Sequence, residues 1–509
     1  MEPTFSFLLA LAIFKADPVA NTPATKTGNS SNFTVVIFFI HNFILLYYIL
    51  THNLIVSDTN SIKKCYNIRK IREKINMKYD IAIIGSGQAA WNLAFPLAKA
   101  GKKICMIEKD LWGGTCPNRG CDPKKLFFNI AKKHYESVQN QKNGGGKISS
   151  MDWKSTMQFK KNLIDPLSNN LHNSFDHANI TTIDGLGYFM GNDLYVNGSR
   201  IYADKIVLAL GQKPRIPNIK GKEFFNTSYD FFDLESLPKN ITIVGGGYIA
   251  FEIASFASEF GCQVQIVERG EQPLKNFPSE IVNHLVKHMD SRGIKFYFNT
   301  QVESITKNSV VTSDGTIYTD YIISAAGREI NDGDMNLLDA GIEKDNNGII
   351  VNDFMETSVS NIYAIGDCVS KKIPKLTTTA IFEGTYLSQN IFKNEPNSIS
   401  YPIIPTSLYT LPQLSMLSTD NREYSRKEYV NLAESNFTYQ LNNEPNIPSV
   451  IYFNDKNNIT NMCILGDESD VIINDMVALM NIKNGKTQDS IIQTFPNVQS
   501  IATSFYKNL

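Results

Sequence analysis

The fold is decided by a segment that passes from a strand into a helix and back, YDIAIIGSGQAAWNLAFPLAKAGKKICMIEKD, residues 79–110. An apolar strand runs into the turn Gly85-Ser-Gly87, a helix follows, and a second strand ends at Glu108. The glycines allow a tight turn and close approach of the backbone to a pyrophosphate, whose charge a helix N-terminus stabilises. Ala90 is small enough for the helix to pack on the strand, and an acid at Glu108 suits ribose hydroxyls. The segment predicts a dinucleotide-binding βαβ unit.

The same pattern recurs at residues 240–268, NITIVGGGYIAFEIASFASEFGCQVQIVE. Here the turn is Gly245-Gly-Gly247, the helix begins with Tyr248 and Ile249, and the second strand again ends in an acid, Glu268. One glycine turn alone is a weak signal that an ordinary α/β crossover could also give. Two complete units predict two nucleotide sites, one in each of two domains.

Between the two units lies GGTCPNRGCDPKK, residues 113–125, in which Cys116 and Cys121 are four residues apart. A zinc site usually needs two close ligand pairs, and the 7 cysteines and 7 histidines of the chain give no second one. Such scattered cysteines also argue against a disulphide scaffold and favour a reducing compartment. The residues that follow Cys121 read as a helix, whose N-terminus would stabilise a thiolate. We therefore interpret the pair as a redox-active dithiol and predict no metal site.

Bulk properties narrow the class of protein further. A chain of 509 residues suggests two to four domains, and a net charge of −1 gives no indication of a nucleic-acid partner. Residues 33–50, FTVVIFFIHNFILLYYIL, are nearly long enough to span a bilayer, and basic residues follow them. The first 76 residues are thus either a membrane anchor with the remainder in the cytosol, or a leader upstream of a natural start at Met77. We expect a cytoplasmic enzyme, membrane-bound only if that anchor is real.

Five motifs in order resemble the pyridine nucleotide–disulphide oxidoreductases, the flavoenzyme family of glutathione reductase, dihydrolipoamide dehydrogenase and mercuric reductase. They are the first glycine turn, GGTCPNRGCDPKK, the second glycine turn, SAAGRE at 324–329 and NIYAIGDC at 361–368. LALG at 208–211 looks like the family's crossover out of the flavin domain. The resemblance covers nearly all of residues 77–509.

This resemblance implies an α/β fold with two Rossmann-like dinucleotide-binding domains, for FAD and NAD(P), and a C-terminal α+β dimerisation domain. The implied partners are a small-molecule disulphide, or another electron acceptor, and a second copy of the chain. The implied boundaries are 1–76 for the leader or anchor, 77–217 and 341–395 for the two parts of the FAD domain, 218–340 for the NAD(P) domain and 396–509 for the interface domain.

The glycine turns and the resemblance together assign a set of residues to cofactor binding. Asp367 is expected to bond the flavin ribityl chain, and Gly187 to lie by the adenine. The full set is Gly85, Gly87, Ala90, Glu108, Gly114, Thr115, Lys125, Gly187, Gly245, Gly247, Tyr248, Ile249, Glu268, Arg269, Lys275, Gly327, Gly366 and Asp367.

Four residues are expected to carry the chemistry. Cys121, nearer the helix, is expected to be the thiolate that faces the flavin, and Cys116 the thiol that attacks the acceptor. Lys125 matches the lysine that closes the family motif and is expected to pair with Glu252. Electrons would pass from NAD(P)H through FAD to this dithiol and on to the acceptor. The alternatives are an NAD(P)H:quinone or oxygen reductase and a flavin-binding redox sensor or scaffold without turnover.

Signals conflict on which nicotinamide cofactor is used. Glu268 favours a free ribose 2′-hydroxyl and hence NADH, because an acid there would repel a 2′-phosphate. Arg269 and Lys275, however, match the positions of the cations that hold this phosphate in glutathione reductase. The balance slightly favours NADPH.

The resemblance fails near the C-terminus. In the reductases a histidine and a glutamate in this region supply acid–base catalysis from the partner subunit. The corresponding stretch here, IIQTFPNVQSIATSF, has Phe495 and Ser500 at these two positions, and the chain has no histidine after His288. The C-terminal cysteine pair that is usual in mercuric reductases is also missing. We therefore expect poor turnover of glutathione disulphide and lipoamide.

Overall fold

The structure is a computed structural model that describes residues 77–419, 424–441, 445–482 and 498–505. The apolar stretch at 33–50 and Phe495 lie outside these residues. None of the helices within them combines the length and the apolar character needed to cross a membrane.

The first part of the chain supplies six strands of a seven-stranded sheet with helices packed against it. Strand β1 pairs in parallel with β2 and β6, β2 pairs in parallel with β3, and β4 to β6 form an antiparallel extension. Ile81, Ala82 and Ile83 of β1 are fully buried, which explains the unbroken apolar run of this strand. The elements are β1 (Lys78–Ile84), α1 (Gln88–Lys99), β2 (Ile104–Glu108), α2 (Thr115–Arg119), α3 (Cys121–Lys142), α4 (Trp153–Ile164), α5 (Leu167–His177), β3 (Thr181–Asp184), β4 (Gly187–Met190), β5 (Asp193–Val196), β6 (Ser199–Leu208) and β7 (Gln212–Pro214).

The middle of the chain repeats this architecture on a smaller scale. A four-stranded parallel sheet has the order β10-β9-β8-β14, with a separate antiparallel sheet of β11 to β13. Strand β15 then pairs antiparallel with β7, so the two connections between the sheets run side by side. The elements are a 3-10 turn (Lys222–Phe224), α6 (Ser228–Phe231), β8 (Asn240–Val244), α7 (Tyr248–Glu259), β9 (Gln263–Val267), α8 (Ser279–Ser291), β10 (Lys295–Tyr297), β11 (Val302–Thr306), β12 (Ser309–Thr312), β13 (Gly315–Tyr318), β14 (Tyr321–Ser324) and β15 (Arg328–Ile330).

The chain then returns to the first sheet. Strand β18 pairs in parallel with β6 and leads into a 3-10 turn and a long helix, α9, that packs on α1. This return brings residues more than 250 positions apart in the sequence to the same sheet edge. The elements are β16 (Lys344–Asp345), β17 (Gly348–Ile349), β18 (Ile362–Ala364), the 3-10 turn (Gly366–Cys368) and α9 (Thr377–Asn390).

The C-terminal part is a five-stranded antiparallel sheet of order β19-β20-β23-β22-β21. Adjacent residues of β22 point to opposite faces, as the period of a strand requires. Val450 packs in the same apolar cluster as α7, and Ile451 packs in the cluster of helix α12. The elements are β19 (Thr406–Leu408), β20 (Leu414–Ser418), β21 (Arg426–Asn431), α10 (Leu432–Ser435), α11 (Phe437–Leu441), β22 (Pro448–Phe453), β23 (Ile459–Leu465), α12 (Ser469–Ile482) and α13 (Ser500–Ser504).

The predicted fold class is confirmed. Two parallel α/β sheets, each with a glycine turn after its first strand, are followed by an antiparallel α+β unit. The domain boundaries stay predictions.

Candidate active site

The two glycine turns have the same backbone geometry. Gly85 has φ +100° and Gly245 has φ +116°, values that side chains rarely allow. A Cβ at Gly85 would also overlap the carbonyl oxygen of Ala209, and one at Gly245 would overlap that of Ala325. Helices α1 and α7 follow these turns with no side chain capping their N-termini. Their first-turn N–H groups therefore remain available to a phosphate.

The two predicted ribose acids also take equivalent positions. The Oε2 atom of Glu108 accepts hydrogen bonds from the backbone N (3.0 Å) and the hydroxyl (2.7 Å) of Ser86. The Oε2 atom of Glu268 accepts one from the backbone N of Gly246 (2.6 Å). Each carboxylate is thus fixed against its glycine turn, where the sequence predicted a ribose.

A first cleft, of about 410 Å³, opens at the carboxyl edge of the first sheet. Ala90 is fully buried and does not line this cleft, which is consistent with a packing role. The predicted residues that line it are Gly85, Gly87, Glu108, Gly114, Thr115, Cys116, Cys121, Gly187, Tyr248, Ile249, Glu252, Gly366 and Asp367.

One atom in this cleft points to a ligand. The Oδ1 atom of Asp367 is buried and has no hydrogen-bond partner among the described residues. Leaving such an acceptor unsatisfied costs about 1–3 kcal/mol, so a hydroxyl-bearing ligand would relieve it. The residues present therefore fit FAD, whose ribityl chain supplies hydroxyls and whose pyrophosphate suits the turn at Gly85.

The two cysteines lie in the wall of the first cleft as half-buried free thiols. Cys121 is the first residue of α3, and its Sγ lies 3.1 Å from Oγ1 of Thr377, the first residue of α9. A hydrogen bond from Cys116 lowers the pKa of Cys121 to about 6, against the effect of burial, and Thr377 and Lys124 lower it further. The same hydrogen bond raises the pKa of Cys116. These shifts favour Cys121 as the thiolate of the pair, and its role towards the flavin stays a prediction.

The predicted ion pair of Lys125 with Glu252 is wrong. The neighbouring Lys124 makes it, with its Nζ 3.1 Å from Oε1 of Glu252. The Nζ of Lys125 lies instead over the ring of Tyr409, 3.6 Å from its centroid. Although burial favours the neutral amine, the charge of Glu252 raises the pKa of Lys124, while burial lowers the pKa of Lys125.

The rotation of α3 about its axis explains why Lys124, and not Lys125, reaches Glu252. Lys124 is followed at helical spacing by Phe127, Ala131 and Tyr135, all buried, and these residues make the face that packs on α7. Lys125 is rotated by about 100° from this face. This apolar stripe can be recognised in the sequence, and it predicts that Lys124, rather than Lys125, lies on the face towards α7.

A second cleft, of about 1730 Å³, lies along the glycine turn of the second parallel sheet. Lys124, Tyr248, Ile249 and Glu252 line both clefts, so the two clefts meet at this ion pair. A ligand in one cleft can therefore contact a ligand in the other. The predicted residues that line the second cleft are Gly245, Gly247, Tyr248, Ile249, Glu252, Glu268, Arg269, Lys275 and Gly327.

Two other contacts at this junction are not predicted by the sequence motifs. Thr377 contacts Cys121, 256 positions away, and Tyr409 contacts Glu252, 157 positions away. No local sequence pattern predicts such contacts. Near the C-terminus, Ser500 accepts a hydrogen bond from Asn436 (3.0 Å). No group of three or more potential metal ligands occurs among the described residues.

Two cysteines beside the meeting point of two clefts, each with a glycine turn of the dinucleotide-binding type, are typical of one class of protein, the oxidoreductases that move electrons between a nicotinamide and a flavin nucleotide. Residues 79–384, more than half of the chain, match the sequence profile of the family described as pyridine nucleotide-disulphide oxidoreductase. The chain belongs to this family.

Two relatives agree with this assignment, and a solved structure has the same fold. A mercuric reductase of Lysinibacillus sphaericus is 29% identical over 386 residues, which cover 73% of this chain and 70% of the relative. A glutathione reductase of Nostoc sp. is 31% identical over 372 residues, which cover 69% and 80%. The HOCl-induced flavoprotein disulfide reductase RclA of Escherichia coli superposes with a TM-score of 0.74 at 24% identity, covering 84% of this chain and 99% of RclA.

The family confirms the predicted class of reaction. The chain is an FAD-dependent NAD(P)H disulphide oxidoreductase.

Proposed function

We propose that this enzyme uses NADPH to reduce a small-molecule disulphide through FAD in the first cleft and the Cys116–Cys121 pair. The observation that carries the proposal is the position of Cys121, a stabilised thiolate in the wall of the cleft that meets the second cleft at Lys124 and Glu252. When bound, FAD would take a hydride from the nicotinamide and pass the electron pair to the disulphide of the two cysteines.

We propose that Gly85, Gly87 and Glu108 hold the adenine half of FAD and that Asp367 holds its ribityl chain. Lys124 supplies a positive charge at the junction. Its partner Glu252 keeps it protonated despite burial.

The two thiols are proposed to exchange with the acceptor in two steps. Cys116 loses its proton to the Cys121 thiolate that it faces and attacks the acceptor disulphide. One half of the acceptor leaves as a thiolate, and a mixed disulphide remains. Cys121 then releases the proton to solvent, and its thiolate attacks the sulphur of Cys116, which closes the protein disulphide and releases the second half of the acceptor as a thiolate.

The choice of NADPH rests on the charges along the second cleft. Arg269 and Lys275 both line it. The carboxylate of Glu268 accepts hydrogen bonds from two backbone N–H groups, those of Gly246 (2.6 Å) and Gly270 (2.9 Å), which offset part of its charge.

The acceptor is proposed to be a disulphide whose thiol leaves easily. The sequence has no histidine in the stretch that supplies the acid in glutathione reductase, so a poor leaving thiol would lack a proton donor there. The same observation favours a second candidate, a quinone, because its reduction needs no leaving thiol.

We further propose a homodimer built by residues 396–509 and a cytosolic location for the enzyme part. The family resemblance supports the first proposal, and the scattered cysteine usage supports the second.

The test is to purify the protein, denature it and chromatograph the released cofactor, and then to add NADPH to the native protein under anaerobic conditions. We expect FAD, bleaching of the flavin absorbance and two new titratable thiols. Release of FMN or of no flavin would contradict the proposal, as would a flavin that NADPH does not reduce.

A further inference from the structure

Glu252 is held by two groups from different parts of the chain. Its Oε1 accepts a hydrogen bond from the Nζ of Lys124 (3.1 Å) and another from the backbone N of Tyr409 (3.0 Å). The Glu252 side chain is only 4% exposed, so both bonds form away from water. Tyr409 directly follows strand β19 and lies in the loop that leads to β20 of the C-terminal sheet.

The ring of Tyr409 lies against the ammonium groups of two adjacent lysines. The Nζ of Lys125 lies 3.6 Å and the Nζ of Lys124 lies 4.9 Å from the ring centroid. Phe128 packs against the same ring at 5.3 Å in an edge-on arrangement. Two neighbouring ammonium groups repel each other, and an aromatic face that attracts both reduces this cost. The ring thereby limits the positions that the Lys124 ammonium can take.

The backbone around Tyr409 is fixed on helix α7. The backbone N of Leu411 donates to Oγ of Ser255 (3.0 Å), a bond that is buried. Glu252 and Ser255 are three positions apart and share one face of α7. Two backbone N–H groups of one loop therefore donate hydrogen bonds to side chains of α7, the helix that starts at the second glycine turn.

We infer that Tyr409 is a positioning residue, which fixes the Lys124 ammonium at the junction of the two clefts and so makes the C-terminal sheet part of the electrostatic environment of the flavin. This inference rests on the proposed function, because it needs FAD in the first cleft. It assigns the contact to the same chain as Lys124.

The test compares Tyr409→Phe, which keeps the ring, with Tyr409→Leu, which keeps the backbone N–H and removes the ring. The readout is the equilibrium between the bound flavin and a redox dye of known potential, followed by visible absorbance. We expect the equilibrium constant for flavin reduction to fall about tenfold in Tyr409→Leu and to stay within about twofold of the parent in Tyr409→Phe.

The matched control is Tyr429→Leu. Tyr429 is an exposed tyrosine of the same sheet that also contacts the nicotinamide domain, through a hydrogen bond to Glu280. It lies outside both clefts, so its loss should leave the dye equilibrium unchanged. If Tyr409→Leu does not fold, replacement of Tyr409 by phenylalanines with increasing ring fluorination gives the same test, since the shape is kept while the attraction for cations falls in steps.

The outcomes separate the two proposals. A parent protein that binds no FAD contradicts the proposed function itself. FAD binding with an unchanged dye equilibrium in Tyr409→Leu and across the fluorinated series overturns the role of Tyr409 and leaves the proposed function standing. Equal impairment of Tyr409→Phe and Tyr409→Leu also overturns it, because the ring would then not be the positioning group.

Discussion

The Nζ of Lys124 lies 3.1 Å from Oε1 of Glu252, and this ion pair lines both the first and the second cleft. The pair therefore joins helix α3 to helix α7, the helix that follows the second glycine turn. Its lysine is 22% exposed and its glutamate 4% exposed, so neither charge is well solvated without the other.

Replacement of Lys124 by methionine should be more harmful than replacement of Lys125. Lys124→Met leaves the buried carboxylate of Glu252 with only the N–H of Tyr409, and we expect a loss of about 3 kcal/mol in the free energy of unfolding. We also expect reduction of the flavin by NADPH to slow at least about tenfold. Urea unfolding and stopped-flow absorbance measure the two effects.

Lys125→Met is the matched control, since Lys125 makes no ion pair with Glu252. We expect its unfolding free energy to change by about 1 kcal/mol or less, the size of one cation–π contact. A larger effect for Lys125→Met than for Lys124→Met would show that the sequence motif, and not the geometry, identifies the functional lysine.

The difference between these lysines shows where sequence reasoning succeeds and where it stops. The βαβ units could be predicted because a glycine turn and its acid lie within about 30 residues. Each unit is a local pattern with a direct structural meaning. Gly85 and Gly245 accordingly have the positive φ values that such turns need.

The junction is assembled from segments that are remote in sequence. Which lysine meets Glu252 depends on the rotation of α3, which buried residues such as Phe127 and Tyr135 set by packing on α7. That rotation could be deduced from the apolar stripe. The contact of Thr377 with Cys121 depends on where the chain returns to the first sheet, and no local pattern fixes that point.

The thiolate of Cys121 should titrate below neutral pH. In the enzyme reduced by two electrons, a thiolate beside the flavin gives long-wavelength absorbance, and the pKa of Cys121 is lowered to about 6 by its hydrogen bond from Cys116. The absorbance should therefore persist above pH 6 and fade as the pH drops through this value. Because the folded pKa is below the unfolded one, the stabilisation from this thiolate is also lost as the pH falls through about 6.

Thr377→Val tests the cause of this low pKa. Loss of the hydroxyl 3.1 Å from Sγ of Cys121 should move the midpoint up by about one pH unit. Asp122→Asn should act in the opposite direction, because the Asp122 charge raises the pKa of Cys121. Identical midpoints in the parent and both variants would contradict the assignment of Cys121 as the titrating group.

The two cysteines should give different spectra when each is replaced by serine. We expect Cys116→Ser to retain the long-wavelength absorbance, because Cys121 is the proposed thiolate, but to lose disulphide reduction. Cys121→Ser should lose both. The opposite pair of spectra would exchange the two assignments.

The preference for NADPH should depend on the two cations of the second cleft. Arg269→Gln and Lys275→Gln should each raise the KM for NADPH about tenfold and leave that for NADH within about twofold, since only the 2′-phosphate carries the extra charge. Initial-rate kinetics with both cofactors measure this. A parent enzyme that prefers NADH would show that Glu268 decides the specificity.

The slow step with glutathione disulphide should be the oxidation of the dithiol. Phe495 and Ser500 stand in the stretch that carries a histidine and a glutamate in glutathione reductase, so we expect no partner-subunit acid to protonate the leaving thiol. Stopped-flow separates the two half-reactions, and we expect fast reduction by NADPH followed by reoxidation at least about a hundredfold slower.

An aromatic disulphide with a low thiol pKa should reoxidise the enzyme much faster, because its thiolate leaves without a proton. The double variant Phe495→His with Ser500→Glu should speed reoxidation by glutathione disulphide and leave that by the aromatic disulphide unchanged. Fast reoxidation of the parent enzyme by glutathione disulphide would mean that another residue supplies the acid.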